Sequence, residues 1–312
     1  MEKWAVIACD QHTSEPEYWN RLDEFIGDSP STLRLMLPEA FLSGNSRGDI
    51  NAYMHQYLNG GVFRNIEDSF IYVERTLKSG KVRKGLVGAL NLSEYGNSVK
   101  ATEATVQDRL PPRIEIRRSA PFEMPHIMVF VEDEIKAEKH ELLYDFELNA
   151  GGGHIRGYRA DSDINPLRMA VGDGNHSLAA AQACGDRYAL VEVVDINDDA
   201  VEFEPIHRVI LGTDTSSLKD RIMHMDDVAE AQAFCDDYVS RHGGRIDYIH
   251  NDSTALELGL RPGNAAVMLT AFDKMNLFDD IFSRGPYPKK SFSIGHAEDK
   301  RYYLECRLRN ND

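Results

Sequence analysis

The sequence is short of the features that mark several common classes of protein. It contains only 4 cysteines among 312 residues, and none lies in a C-x-x-C pair, so a zinc knuckle is not expected. No apolar stretch is long enough to span a bilayer, and residues 1–10 lack the basic segment and apolar core of a signal peptide. These absences predict a protein of the reducing cytoplasm that does not enter a membrane.

Positive charge is also scarce. Lys and Arg number 35 against 51 Asp and Glu, which gives a formal net charge of −16 with His neutral. This balance argues against a protein that coats nucleic acid or an anionic membrane, because such surfaces need an excess of basic side chains. We expect small molecules as partners, no nucleic acid and no membrane, while the oligomeric state stays open.

What is present is enough for a folded core, since hydrophobic residues make up 42% of the chain. Residues 69–77 and 82–92 predict a hairpin, residues 188–196 a central valine-rich strand, and residues 228–242 a helix ended by a glycine pair. Strands and helices mixed in this irregular way predict an α+β fold, with mixed sheets and flanking helices.

One segment is the best candidate for a domain boundary. Residues 212–217 are polar and rich in turn-forming types. They predict a main α+β domain over residues 1–215 and a C-terminal α/β segment over residues 216–312 that packs on it.

The segment from Leu167 to Ala181 carries the clearest chemical signal. A short apolar run leads into Gly172-Asp173-Gly174, and an alanine-rich helix is predicted to start at once. The glycines permit tight backbone angles and the close approach of a ligand, and a helix start offers N–H groups and the positive end of its dipole. Together these features predict an anion site suited to phosphate.

Asp173 places an acid at a turn where an anion should bind. A carboxylate there is explained best as a metal ligand, a general base or an orienter of His176, and phosphoryl transfer needs such a mixture of groups. The alternative is a plain helix cap, in which Asp173 or Asn175 satisfies the first amides and does nothing else.

Other segments offer candidates for the same chemistry. Glu103 is a possible base, and Arg109 and Arg113 could clamp phosphate, because a guanidinium offers a fork of donors. The alternative for this stretch is a solvated helix face with local ion pairs. His207 and Arg208 are neighbours in a strand-like run, so only one of them can face a given pocket, and a lone histidine there is more often structural.

Two loops offer further candidates. The run Gly151-Gly152-Gly153 could contact an anion but lacks the lysine of a Walker A loop, so a surface loop is the simpler explanation. Asp10 follows the first predicted strand in a polar loop, where sites often lie. The alternative for the Asp10 loop is a turn that caps the following helix.

The sequence resembles a bacterial family, the domain-of-unknown-function family 1015 (DUF1015). Its specificity comes from a combination of segments that together cover nearly the whole chain: 4–19, 31–39, 69–88, 172–181, 188–195, 205–208 and 289–307. The turn Asp173-Gly174-Asn175-His176 is also similar to the Asp-Gly-His-His-Arg turn of free-serine kinases, which belong to the ParB and sulfiredoxin superfamily.

The resemblance implies a ParB/sulfiredoxin-like core and a kinase that acts on a small hydroxyl compound, free L-serine first among them. Asp173 would be the catalytic carboxylate, and the turn Gly174, Asn175, His176 and Ser177 would hold the donor phosphate. Asn175 stands where those kinases have a histidine, and Ser177 stands where they have an arginine. The missing guanidinium leaves room for pyrophosphate as the donor, beside ATP or ADP.

The mechanism expected from these groups begins with a poor nucleophile. The serine hydroxyl must lose its proton to a carboxylate, either Asp173 or Glu103. Arg109, His207 and Arg208 would offset the charge on the transferring phosphoryl group.

Magnesium is the expected cofactor, because it bridges donor oxygens in phosphoryl transfer. Asp173 and Asp10 would be its protein ligands. Three other functions stay open: a phosphatase acting on phosphoserine or a similar ester, a non-catalytic nucleotide-binding regulator, and a DNA-binding partition factor. The acidic balance and the lack of a basic stripe disfavour the last.

Overall fold

The computed structural model describes residues 1–9, 12, 15–38, 40, 49–104, 110–295 and 299–309. Two predicted site residues, Asp10 and Arg109, lie outside this part of the chain. The chain forms two compact units. Unit 1 comprises Met1–Lys100, Thr105–Val201 and Ala297–Asp312, and unit 2 comprises Ala101–Ala104 and Glu202–His296.

The described strands are, in chain order, β1 (Val6–Ile7), β2 (Phe70–Thr76), β3 (Val82–Asn91), β4 (Val99–Ala101), β5 (Phe122–Glu123), β6 (Ile127–Val131), β7 (Glu138–Glu147), β8 (His154–Asp161), β9 (Met169–Asp173), β10 (Tyr188–Asp195), β11 (Phe203–Pro205), β12 (His207–Leu211), β13 (Ile222–Met225), β14 (Arg245–Ile249), β15 (Asn264–Leu269), β16 (Phe292–Ile294), β17 (Tyr302–Tyr303) and β18 (Arg307–Leu308). The described α-helices are α1 (Pro16–Ile26), α2 (Ile50–Asn59), α3 (Leu110–Ser119), α4 (Asn175–Ala183), α5 (Val228–His242), α6 (Asp252–Gly259) and α7 (Leu277–Ser283).

Unit 1 is built on an eight-stranded sheet in the order β4-β9-β6-β10-β3-β2-β8-β7. β10 pairs in parallel with β6 and antiparallel with β3, and the β2–β3 hairpin is antiparallel. Unit 2 has a four-stranded sheet in the order β13-β15-β12-β14, which also mixes parallel and antiparallel pairs. The prediction of an α+β fold with mixed sheets is confirmed, as are the hairpin and the central position of β10.

The division between the units falls after Val201, whereas the sequence placed a boundary within residues 212–217. Long-range pairing explains the difference, because β12 pairs with β14 and β15 and therefore belongs to unit 2. The strand-like run around His207 and Arg208 is β12 alone, and the residues just before it form a separate strand, β11, which pairs instead with β16.

The end of the described chain returns to unit 1. β17 pairs with β1, and β18 pairs with β5. Residues 299–309 therefore belong to unit 1, whereas the sequence predicted a single C-terminal segment over residues 216–312.

Apolar periodicity explains how the helices of unit 1 are held. Pro16 opens α1, and Trp19, Leu22 and Ile26 recur on one face and are buried. In the same way Leu178 and Ala181 of α4 pack into a core with residues of β6, β9 and β10. This packing fixes the start of α4 at the end of β9. No helix in the described ranges is both long enough and apolar enough to cross a membrane.

Candidate functional site

A glycine turn joins β9 to α4. Gly174 is the N-cap of α4, with φ 103° and ψ 24°, a left-handed conformation that favours glycine. A Cβ at this position would lie 3.1 Å from Nη1 of Arg301 and 3.3 Å from two side-chain atoms of Ile127, so space also favours glycine. The N-cap residue itself is a glycine, so it offers no side-chain cap to the first amides of α4.

The backbone leading into the turn is irregular as well. Met128 of β6 is paired with Asp173, and the register between β6 and β9 shifts directly after this pair. Such irregularities re-aim side chains at the ends of strands. The first intrahelical hydrogen bond of α4 is donated by the Leu178 amide to the Gly174 carbonyl at 3.0 Å, so the amides before Leu178 lie outside the helical ladder.

The carboxylate of Asp173 is held by Arg301. Nε of Arg301 donates to Oδ2 at 2.9 Å, and Nη2 donates to Oδ1 at 3.3 Å, while Nη1 donates to the carbonyl of His126 at 2.6 Å. The Arg301 side chain is 7% exposed and that of Asp173 is 23% exposed. Sequence reasoning missed Arg301, and no local pattern points to it, since the pairing of β17 with β1 brings it to the turn.

A cavity of about 180 Å³ lies beside the turn within unit 1. Its lining includes five of the predicted site residues, which the structure therefore brings together: Arg113, Asp173, Gly174, His176 and Ser177. Arg301 lines it too, and an apolar wall comes from Met36, Met54 of α2 and Phe122 of β5. Asn175 takes the first position of α4, and its side-chain Oδ1 is buried with no hydrogen-bond partner among the described residues.

Ion pairs fix a second part of the cavity wall. Arg113 and Arg117 lie on α3, which packs against α4. Nε of Arg117 donates to Asp186 at 2.5 Å, and its Nη2 pairs with Glu123. Arg307 donates to the other oxygen of Glu123 at 2.6 Å. These contacts make Arg117 part of the scaffold, while Arg113 remains the basic candidate on this wall.

A buried charge cluster lies behind the turn. Nε2 of His126 lies 2.9 Å from Glu192, and Nδ1 lies 3.4 Å from Glu305. Burial lowers the pKa of His126, but the two carboxylates outweigh burial and raise the pKa to about 9. Burial raises the pKa of Glu192, but Arg83 and His126 outweigh it and lower the pKa to about 2. His126 is therefore charged at neutral pH, and its carbonyl is a partner of Arg301.

Glu103 lies in unit 2, where its carboxylate holds a neighbouring backbone segment. Oε1 accepts from the amides of Ser291 at 2.8 Å and Phe292 at 3.3 Å, and Oε2 accepts from the amide of Lys290 at 3.3 Å. Burial raises the pKa of the Glu103 carboxyl above its ordinary value, and the amides offset only part of that rise. These contacts give Glu103 a structural role in its own unit.

His207 and Arg208 also belong to unit 2. The buried ring of His207 accepts from the amide of Leu269 at 3.1 Å through Nδ1, and its Nε2 lies 2.8 Å from Asp252. The buried Arg208 donates through Nε to Gln232 at 3.3 Å and through Nη1 to the carbonyl of Ile206. Burial lowers the pKa of Arg208. Both side chains are held within unit 2.

The remaining predicted features are a glycine loop and a metal site. Residues 151–153 belong to the connection of β7 to β8, where the carbonyl of Gly152 accepts from the buried Arg75. Within the described ranges no group of three or more His, Cys, Asp or Glu side chains is arranged to hold a metal ion. Of the two predicted magnesium ligands, Asp173 is described and pairs with Arg301, so the described residues alone do not build a metal cage.

Comparison with known proteins gives one family. The family model described as "Protein of unknown function (DUF1015)" matches residues 1–310. No curated protein matches the chain.

Among solved structures, the chain is similar to a free serine kinase in complex with AMP, at 13% identity and a TM-score of 0.46 over 71% of this chain and 91% of that one. It is similar to a free serine kinase variant in complex with ADP, at 12% identity and a TM-score of 0.47 over the same shares, 71% and 91%. It is also similar to a conserved hypothetical protein from Pyrococcus furiosus, at 12% identity and a TM-score of 0.41 over 69% and 91%. These values carry no function over to this chain.

Proposed function

The chain belongs to the DUF1015 family, and we propose from its own site that it is a phosphotransferase that phosphorylates a small hydroxyl compound. Free L-serine is the first candidate acceptor, and pyrophosphate or a nucleotide is the donor. One observation carries the proposal. A glycine-capped helix start, a carboxylate and a guanidinium line the same cavity, namely Gly174, Asp173 and Arg301.

The start of α4 supplies the site for the donor. Its first amides lie outside the helical ladder, and the helix dipole adds partial positive charge at this end. Gly174, His176 and Ser177 line the cavity at this point, and Arg113 faces the same space from α3. A phosphoryl group is an anion with several acceptor oxygens, so it suits this arrangement of donors.

Asp173 supplies the base. In the proposed reaction the acceptor oxygen forms a bond to the terminal phosphorus of the donor, and the bond to the bridging oxygen breaks. The hydroxyl proton passes to the Asp173 carboxylate, and the rest of the donor leaves as phosphate or as the shortened nucleotide. The proposal assigns this role to Asp173 and not to Glu103, because Glu103 is held by three backbone amides in unit 2.

The size of the cavity bears on the donor. Its volume of about 180 Å³ is below the roughly 300–1,000 Å³ of pockets that enclose drug-sized ligands. Pyrophosphate with a small acceptor fits such a space better than an enclosed nucleotide does. The proposal therefore ranks pyrophosphate first among the donors.

Magnesium belongs to the proposal as an ion that arrives with the donor. It would neutralise charge on the donor oxygens. Of its two predicted ligands, Asp173 lines the cavity, which supports this part of the proposal. No step above depends on a metal held by the protein alone.

The test is a phosphorus NMR assay with purified protein, magnesium and L-serine, in separate samples with pyrophosphate, ATP or ADP. The proposal predicts a phosphoserine signal with one donor, and its loss in Asp173→Asn. A matched control is Asp161→Asn, whose carboxylate pairs with His140 at the surface of unit 1. Phosphate release from added phosphoserine without any donor would replace the kinase with a phosphatase. Donor binding without turnover would replace it with a nucleotide-binding regulator.

A further inference from the structure

Arg301 is the basic side chain that sequence reasoning did not place in the site. The turn from Gly174 to Ser177 contains no Lys or Arg. The guanidinium of Arg301 nevertheless lies against the N-cap of α4, with Nη1 3.1 Å from where a Gly174 Cβ would stand. The cation that the turn itself lacks is thus supplied by the segment that follows unit 2 in the sequence.

Arg301 donates to two kinds of acceptor among the described residues. Nη1 is bonded to the carbonyl of His126, which belongs to the backbone beside β6. Nε and Nη2 form a fork on the carboxylate of Asp173, which is partly exposed and lines the cavity. A phosphoryl group offers a guanidinium the same bidentate geometry as a carboxylate does. Nε and Nη2 can therefore exchange the carboxylate for a phosphoryl group while Nη1 stays bonded to the carbonyl of His126.

The backbone of Arg301 is fixed, which limits such a change to its side chain. The Arg301 carbonyl accepts from the amide of Ala8 at 2.8 Å. The preceding carbonyls of Asp299 and Lys300 accept from the buried Arg75 at 3.0 and 2.7 Å. A guanidinium on a fixed backbone is pre-organised, so little conformational entropy is lost when it binds an anion.

We propose that Arg301 is an exchangeable phosphate clamp. Without a donor, its fork neutralises Asp173. When the donor binds, the fork passes to the phosphoryl oxygens, and Asp173 is released to accept the hydroxyl proton. The identity of the anion rests on the proposed function, but the exchange itself is a binding event that needs no turnover.

The test is calorimetric titration of the whole protein with pyrophosphate, without serine or magnesium. Arg301→Gln should weaken binding by roughly tenfold or more, because a charge-assisted fork is lost. Asp173→Asn should tighten binding several-fold, since it removes both the competitor for the fork and a like charge. Arg301→Lys, which keeps the charge but loses the fork, should lie between wild type and Arg301→Gln.

A matched control is Arg168→Gln, because Arg168 forms a similar fork on Glu132 away from the lining of the cavity. This control should bind like wild type. The clamp is overturned if wild type binds no pyrophosphate, if Arg301→Gln binds as well as wild type, or if Asp173→Asn weakens binding as Arg301→Gln does. Should Arg301→Gln fail to fold, the opposite sign expected of Asp173→Asn still decides.

The two proposals fail separately. Pyrophosphate binding with the expected signs but no phosphoserine would keep the clamp and remove the kinase. Phosphoserine formation with no effect of Arg301→Gln on pyrophosphate affinity would keep the kinase and remove the clamp.

Discussion

Two aspartates, one in each unit, differ in the surroundings of the side chain that each is paired with. Asp173 pairs with Arg301 in unit 1, and Asp252 pairs with His207 in unit 2. His207 is almost fully buried and its second nitrogen accepts from a backbone amide, so the ring is locked in place. Asp173 instead is paired with Arg301, and both side chains line the cavity. A carboxylate whose side-chain partner lines the same cavity can exchange that partner for a ligand.

The same contrast holds between the two arginines. Arg208 is buried and bonded to Ile206 and Gln232, and its guanidinium lies over the ring of Tyr248 at 5.4 Å. Arg301 is bonded to one carbonyl and one carboxylate, and it lines the cavity. The sequence made Arg208 a candidate and did not single out Arg301, whereas the structure places Arg301 in the lining of this cavity.

We expect the largest effect on the rate when the two aspartates are each replaced by asparagine. Asp173→Asn should lower the rate of phosphoserine formation by about 10²–10⁴-fold, the usual contribution of a general base. Asp252→Asn, whose side chain is 79% exposed, should change the rate less than about twofold, since surface ion pairs contribute little. Rates from the phosphorus NMR assay decide this, and equal losses in the two variants would contradict the distinction drawn here.

The second largest effect is expected on stability, where a buried and an exposed histidine of unit 1 can be compared. His126→Gln removes the buried cation that lies between Glu305 and Glu192, which keeps its ion pair with Arg83, and it should lower the free energy of unfolding by about 3–5 kcal/mol. The control is His140→Gln, because His140 pairs with Asp161 at 2.9 Å with both side chains exposed. The control should cost less than about 1 kcal/mol. Urea unfolding of the two variants measures the difference.

The His126 pair also predicts a pH dependence of stability. The pKa of His126 is raised to about 9, so its contribution is complete below its ordinary value and is lost as pH rises through 9. The pKa of Glu192 is lowered to about 2, so its contribution is present above its ordinary value and is lost as pH falls through 2. Wild-type stability should therefore fall between about pH 6.5 and 9, and His126→Gln should remove that slope. A slope unchanged in the variant would speak against a charged His126.

The smallest effect is expected when the glycine of the turn is replaced by alanine. Gly174→Ala places a side chain at φ 103° and against Arg301 and Ile127, and it should cost about 1–3 kcal/mol and weaken pyrophosphate binding. Gly185→Ala is the matched control, because its φ is 76° but nothing lies within 4 Å of the added Cβ. The control should lose about 1 kcal/mol and keep pyrophosphate affinity. Thermal unfolding and calorimetry separate strain from a lost site.

Local patterns predicted what local interactions determine. The α5 helix spans Val228–His242 as periodicity and the following glycines indicated, and the β2–β3 hairpin and the glycine turn at Gly174 lie where the sequence placed them. In each case the signal and the structure involve the same few residues.

Long-range pairing accounts for what the sequence did not reveal. Arg301 reaches Asp173 only because β17 pairs with β1. Residues 203–211 divide between two sheets because β11 and β12 find different partners. Glu103, which the sequence grouped with Arg109 and Arg113, accepts instead from the amides of residues 290–292. These partners are too far apart in the sequence for periodicity or turn patterns to indicate that they pair.

The most direct test of the central claim is a crystal structure of the Asp173→Asn variant grown with pyrophosphate and L-serine, since this variant should bind both without turnover. We expect pyrophosphate at the start of α4, with the fork of Arg301 on its oxygens and the serine hydroxyl near residue 173. Pyrophosphate bound elsewhere, with Arg301 still paired to residue 173, would contradict both the site and its proposed chemistry.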